Sequence, residues 1–142
     1  MPAPYQYDPN QVNVSCGGKI MSGWGDGTYI EAERDEDSYM KKIGVDGEVT
    51  RAKNNNLGGK VTLTLMQSSP SNDALSAFQQ ADQLSGTGVF TFILNDSNGQ
   101  TTVRAVDAWI KKPAKLVYAK EVQAWQWTID IGTFEVLIAA ST

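Results

Sequence analysis

The run Val122-Gln123-Ala124-Trp125-Gln126-Trp127-Thr128-Ile129-Asp130-Ile131 decides the fold class. Trp125, Trp127, Ile129 and Ile131 fall on one side of a period-two alternation, and Ala124, Gln126, Thr128 and Asp130 on the other. Successive strand side chains point to opposite faces, so this run reads as a β-strand with one face in a core and one polar face. Toward the C-terminus, Gly132-Thr133 turns the chain into a last strand at Phe134–Ala140. Toward the N-terminus, Lys111-Lys112-Pro113 ends a strand over Gln100–Ile110, which Asn95-Asp96-Ser97-Asn98-Gly99 joins to Thr87–Leu94 as a hairpin. Val61-Thr62-Leu63-Thr64-Leu65 repeats the alternation, with Thr62 and Thr64 on its polar side.

One helix interrupts the strands, over residues 69–85. Ser69 stands as its N-cap with Pro70 in the first turn, Leu75, Phe78 and Leu84 read as its apolar stripe, and Gly86 stops it. Before it, Val12–Met21 reads as one strand, Gly23-Trp24-Gly25-Asp26-Gly27 as a turn, and Tyr29–Glu33 as a short strand. Residues 1–11, rich in proline, read as an N-terminal arm. Residues 34–59 read as a long, charged Gly/Asn-rich loop with spaced apolar anchors at Tyr39, Met40, Ile43, Val45, Val49 and Leu57. A loop of that length is uncommon inside a compact domain unless it does something. Ordering against a neighbouring subunit and plain disorder are its two readings, and the density of anchors favours the first. The whole, 1–142, reads as a single mainly-β domain: a small barrel or sandwich with one flanking helix.

Composition narrows the chemistry. The 142 residues contain no histidine, the commonest general base at neutral pH, and one cysteine, Cys16, which has no imidazole to activate it. Catalytic and metal sites are therefore not expected, nor any cofactor. The glycine-rich turn lacks the Gly-Lys-Ser/Thr ending and following helix of a phosphate loop. The acids Glu31, Glu33, Asp35, Glu36 and Asp37 lack EF-hand spacing. No apolar run is long enough to span a membrane, and the start has no leader pattern. The net charge is −4, but it is unevenly spread. Lys111, Lys112, Lys115 and Lys120 cluster without an acid between them, whereas residues 61–103 contain no Lys or Arg. Trp125 and Trp127 offer a sugar-stacking reading, as in a small carbohydrate-binding module or enzyme, but their aliphatic neighbours favour core packing.

The run Gly44-Val45-Asp46-Gly47-Glu48-Val49-Thr50-Arg51-Ala52-Lys53-Asn54-Asn55-Asn56, then Gly59–Leu65 and Gln67-Ser68-Ser69-Pro70-Ser71-Asn72-Asp73, resembles the tail tube proteins of contractile-tailed bacteriophages. The early Ile20–Gly25 and Gly27–Ile30 segments also match, so the likeness runs from about Val12 onward. The resemblance implies a non-enzymatic virion protein assembled in the host cytoplasm. It implies six copies to a ring and rings stacked into a hollow tube that conducts DNA. The implied partners are copies of itself, the sheath, a tape-measure protein, the baseplate and a terminator. On that pattern Thr62, Thr64, Gln126, Thr128 and Asp130 are lumen-lining candidates. Arg104 joins them if its alternation is read the other way. Asp35, Glu36, Asp37, Tyr39, Met40, Lys41, Lys42, Ile43, Val45, Val49, Arg51, Lys53 and Leu57 are candidates for contact between subunits and rings. Lys111, Lys112, Lys115 and Lys120 are candidates for an outer, sheath-facing patch. A tail terminator or baseplate tube-initiator is the nearest alternative.

Overall fold

In a computed structural model, which describes residues 7–99 and 101–138, the chain forms ten strands and one helix, with one core and a separate exposed two-stranded hairpin. The strands are β1 (Val12–Cys16), β2 (Lys19–Ile20), β3 (Ile30–Arg34), β4 (Tyr39–Ile43), β5 (Val49–Lys53), β6 (Gly59–Met66), β7 (Phe90–Asp96), β8 (Thr101–Lys112), β9 (Ala124–Ile131) and β10 (Glu135–Leu137). The helix α1 spans Ser71–Ser85. The first six residues of the expected arm, and the end of the expected last strand, lie outside the described residues. Asp8 caps a 3₁₀ turn at Pro9–Gln11 and exchanges two hydrogen bonds with Asn98, which ties the end of the arm to the β7–β8 turn.

Eight strands form one antiparallel sheet in the order β2-β1-β7-β8-β9-β6-β3, with β10 beside β8. The sheet curls until β3 nears β1, leaving a cleft of about 300 Å³ between them lined by Tyr7, Val12, Tyr29 and Ile30. It therefore stays an opened barrel. The expected strand 12–21 is instead a hairpin, because Gly17 and Gly18 both have positive φ (60° and 84°), the conformation that two-residue hairpin turns require. In β8 Val106 and Asp107 bulge out, two residues opposite Thr91 alone, and Asp107 then accepts from the Thr133 N–H to hold the β9–β10 turn.

The inward residues of β1, β6, β7, β8 and β9 build the core, with Val14, Val61, Leu63, Leu65, Phe92 and Ile129 fully buried. Each such side chain contributes about 1.5–3 kcal/mol relative to exposure. The alternation in β9 is as expected: Trp127, Ile129 and Ile131 are buried and Trp125 is half-buried against the core. Helix α1 closes one side of the sheet through Leu75 and through Phe78, which stacks on Phe90 at 4.6 Å. Leu84 is 83% exposed, not on the stripe. Nine residues from Leu75 is two and a half helical turns, so it points the opposite way. Pro70 takes the cap position without a side-chain bond, and Ser69, one residue earlier, accepts from the Ser71 N–H. Gly86 stops the helix in the left-handed conformation.

Candidate functional site

Two surfaces carry the residues singled out above. The first is the outer face of β3, β6 and β9. Strand pairing sets Glu31, Thr62 and Thr128 in one row and Glu33, Lys60 and Asp130 in the next, with Gln126 beyond. Directly opposed side chains lie on the same side of a sheet, so the fold does bring Thr62, Gln126, Thr128 and Asp130 together. Thr64 is the exception. It is only 8% exposed, because the Gly23–Gly25 segment runs along β6, with the Gly25 N–H donating to the Thr64 carbonyl. A Cβ at Gly25 would stand 2.9 Å from the Thr64 methyl, so the cover is close.

The face also carries two lysines. Lys60 lies in the middle of it, with its Nζ 3.6 Å from a Glu33 carboxylate oxygen. Lys112, expected with the outer lysines, is opposite Thr128, because a register shift after Ile110 turns it to this side. Three carboxylates (Glu31, Glu33, Asp130) therefore face two ammonium groups, and the surface is polar and mildly acidic.

The second surface is the segment expected to be a loop. It is a regular hairpin of β4 and β5, closed by Gly44–Glu48 with Gly47 at positive φ, and every residue from Tyr39 to Lys53 is exposed. It pairs with itself and with no strand of the main sheet. Cross-strand pairing puts Tyr39, Lys41, Ile43, Val49, Arg51 and Lys53 on one side and Met40, Lys42, Thr50 and Ala52 on the other. On the first side the Arg51 guanidinium lies 4.1 Å from the Tyr39 ring centre. Val45 projects from the tip, fully open to solvent.

Polar bonds fix the root of this hairpin to the body. Arg34 donates through Nε and Nη2 to the Phe134 carbonyl at 3.2 and 3.0 Å. The Asp35 N–H donates to the Gly58 carbonyl, and the Asn54 N–H to the Ser38 carbonyl. The Asn54 amide donates to the Asp37 carbonyl, and the Asn56 amide to the Glu36 carboxylate. Asp35, Glu36 and Asp37 are exposed around this root, and Leu57 is 36% exposed beneath it. The Asn54-Asn55-Asn56 run therefore contributes two of its three amides to the root.

The remaining candidates are scattered. Lys111 is exposed one residue before the end of β8, while Lys115 and Lys120 are exposed in the irregular connection 113–123. Trp125 anchors that connection by donating from Nε1 to the Val117 carbonyl, with Tyr118 packed on its ring. Arg104 is exposed on β8 between Ile93 and Glu135, away from the β6–β9 pair. Sequence reasoning missed Asn72. Its side chain, buried on the first turn of α1, accepts from Trp127 Nε1 at 2.9 Å and donates to the Met66 carbonyl at 3.0 Å. Burial pushes the Cys16 thiol up to about 12, which leaves it neutral and unreactive.

Residues 6–139 match the family model described as the bacteriophage PhiTE tail tube protein. A structural protein, ORF10 of Pseudomonas phage KPP10, is 26% identical over 133 residues, covering 88% of this chain and 77% of that protein. Three solved structures share the fold at 12% identity. One is the tube-terminating cap of the anti-feeding prophage (TM-score 0.66, covering 98% of this chain and 95% of that one). The second is a sheath/tube terminator of an extracellular contractile injection system in its extended state (0.68, 96% and 100%). The third is a sheath-tube complex of such a system (0.64, 96% and 93%). The curled sheet, its single flanking helix and the match over nearly the whole length agree: the chain belongs to the phage tail tube family, whose members build virion tails and are not enzymes.

Proposed function

We propose that this chain is the repeating subunit of a phage tail tube, six copies closing a ring and rings stacking into a hollow conduit for DNA. The observation that carries the reading is the β4–β5 hairpin. A two-stranded hairpin is marginal in water by itself, yet here one stands clear of the body with Tyr39, Met40, Ile43, Val45 and Val49 all exposed. A neighbouring subunit is the cover that a tube supplies. The edge of β3, unpaired among the described residues, supports the same reading, since such an edge is a liability that strand pairing around a closed ring removes.

In this arrangement Thr62, Gln126, Thr128 and Asp130 line the lumen with Glu31 and Glu33. A wall with more carboxylates than cations does not hold passing phosphates. Lys60 is offset there by Glu33. Thr64 is left out because it is covered. Asp35, Glu36, Asp37 and Leu57 belong to the stacking contact with the hairpin. Lys111, Lys115 and Lys120 face outward toward a sheath. Tape-measure and baseplate proteins are the further partners, and assembly takes place in the host cytoplasm.

The terminator reading has its own support in the two terminator-type structures that share the fold. Copy number separates the two. Negative-stain images of the purified protein should show stacked rings of indefinite length, and the protein should be among the most abundant in the virion. Single rings only, with one ring's worth of protein per virion, would replace the tube reading by the terminator.

A further inference from the structure

We infer that the hairpin is a cationic latch that seats on carboxylates of a second copy of this chain, Asp35, Glu36 and Asp37 foremost, so that stacking is electrostatic and salt-labile. This deepens the tube reading and rests on it. The charge distribution is the first ground. Residues 38–54 hold four cations (Lys41, Lys42, Arg51, Lys53) against two carboxylates (Asp46, Glu48), a net +2, which leaves −6 on the rest of a chain whose total is −4. Among the described residues the ion pair within 4 Å is Lys60–Glu33, so none of the four hairpin cations has an ionic partner on its own subunit.

The second ground is a local rule that the hairpin breaks. Lys41 and Arg51 are directly opposite each other in the β4–β5 register, and Lys53, next but one to Arg51, is on the same side. Like charges in direct cross-strand opposition are destabilising, in an element that is already marginal. A local choice that conflicts with the stability of its own element marks a functional surface. The conflict is relieved when that side meets anions. Tyr39, Ile43 and Val49 on the same side supply the apolar contact that water would otherwise cover.

The acidic complement is also in place. Asp35-Glu36-Asp37 is the densest acidic run in the sequence and is exposed around the hairpin root. A head-to-tail contact, in which the stem of one copy lies on the root of the next, repeats without limit along a tube and uses both surfaces in every copy.

The test uses the full chain. Tube formation is followed by light scattering and microscopy to obtain the critical concentration. Raising NaCl from about 0.1 M to about 1 M shortens the screening length from about 10 Å to about 3 Å. The critical concentration should rise about tenfold. Lys41→Glu turns the repulsive pair with Arg51 into an attractive one, so the hairpin forms at least as well while the latch loses its complement. At low salt this variant should also raise the critical concentration about tenfold, because the charge reversal removes one attraction and adds a repulsion of similar size, each a few-fold. Adding Asp37→Lys to Lys41→Glu restores the complement and should bring assembly back to within about threefold of the parent. Tubes that ignore both salt and Lys41→Glu overturn the latch and leave the tube reading standing. Weakening by Lys41→Glu without rescue by Asp37→Lys overturns the choice of Asp35–Asp37 as its seat. A parent protein that makes no tube at any salt overturns both readings.

Discussion

Excising the hairpin separates folding from assembly. The Asn54 N–H donates to the Ser38 carbonyl at 2.8 Å, so the two ends of the excision are already neighbours and a Gly-Gly link in place of Tyr39–Lys53 closes the gap. No removed side chain is buried. The bonds of Arg34 to Phe134, of Asp35 to Gly58 and of Asn54 to Asp37 all lie outside the cut. The connection shrinks from fifteen residues to two. That is about three halvings of loop length at about 0.6 kcal/mol each, an upper limit near 2 kcal/mol in favour of the shortened chain. For a chain of this size, where about 1 kcal/mol moves Tm by about 3–4 °C, the gain is a rise of about 7 °C at most. Calorimetry should therefore find an unchanged or slightly raised Tm, while sedimentation and negative-stain microscopy find monomers or single rings and no tubes. Normal tubes would refute the assignment of the hairpin to stacking. A Tm lowered by more than about 5 °C would refute the claim that the hairpin stands apart from the core.

Three further outcomes are expected. Asn72→Ala leaves the buried Trp127 indole N–H without its acceptor, at about 1–3 kcal/mol, while the Met66 carbonyl keeps the Ser69 N–H. Denaturant unfolding should show a loss of at least about 1 kcal/mol, and a loss within about 0.5 kcal/mol, typical of a surface change, would contradict the role given to this amide. Thr128→Lys with Asp130→Lys turns the proposed lumen wall basic, so tubes should still assemble while DNA release slows; unchanged infectivity would count against these residues facing the conduit. For Cys16, burial raises the folded pKa to about 12 from an ordinary value of 9.0. The unfolded chain then loses its thiol proton first as pH rises, so stability should be intact below about pH 9 and decline from there toward pH 12. Native protein should resist thiol reagents at pH 8, and rapid labelling there would show that the thiol is not buried.

Legibility in the sequence followed burial. β9 reads correctly because Trp127, Ile129 and Ile131 meet a core and the residues between them do not, so period two is written in residue type. Thr64 obeys the same alternation, but a segment forty residues earlier in the chain crosses over it, and no local pattern records that crossing. Lys60 escaped notice because it stands one residue before the run without basic residues, although the ladder places it in the same face. β4 and β5 were unreadable as strands for a related reason. Neither of their faces is buried by this chain, so Lys41 and Lys42 stand as freely as Tyr39 and Ile43, and no hydrophobic period results. Spaced anchors marked this segment as unusual, while the pairing of its two halves had to come from the structure.

That pairing bears on how a small contact can hold a tube together. Immobilising a structureless arm costs roughly 1–2 kcal/mol per residue in backbone entropy, or about 15–30 kcal/mol for fifteen residues. Four cations meeting carboxylates at a solvated interface return far less than that, since exposed ion pairs contribute about 0–1 kcal/mol each. A hairpin whose strands already exchange hydrogen bonds, and whose root is held by Arg34, Asn54 and Asn56, has met most of that cost within its own subunit. Docking then has to order side chains alone, at about 0.5–1.5 kcal/mol each. The amides at the root and the charges on the stem thus have separate tasks. In the proposed stacking, the amides hold the shape in the free subunit, and the stem charges, which strain that shape, come into favour once a second copy covers them.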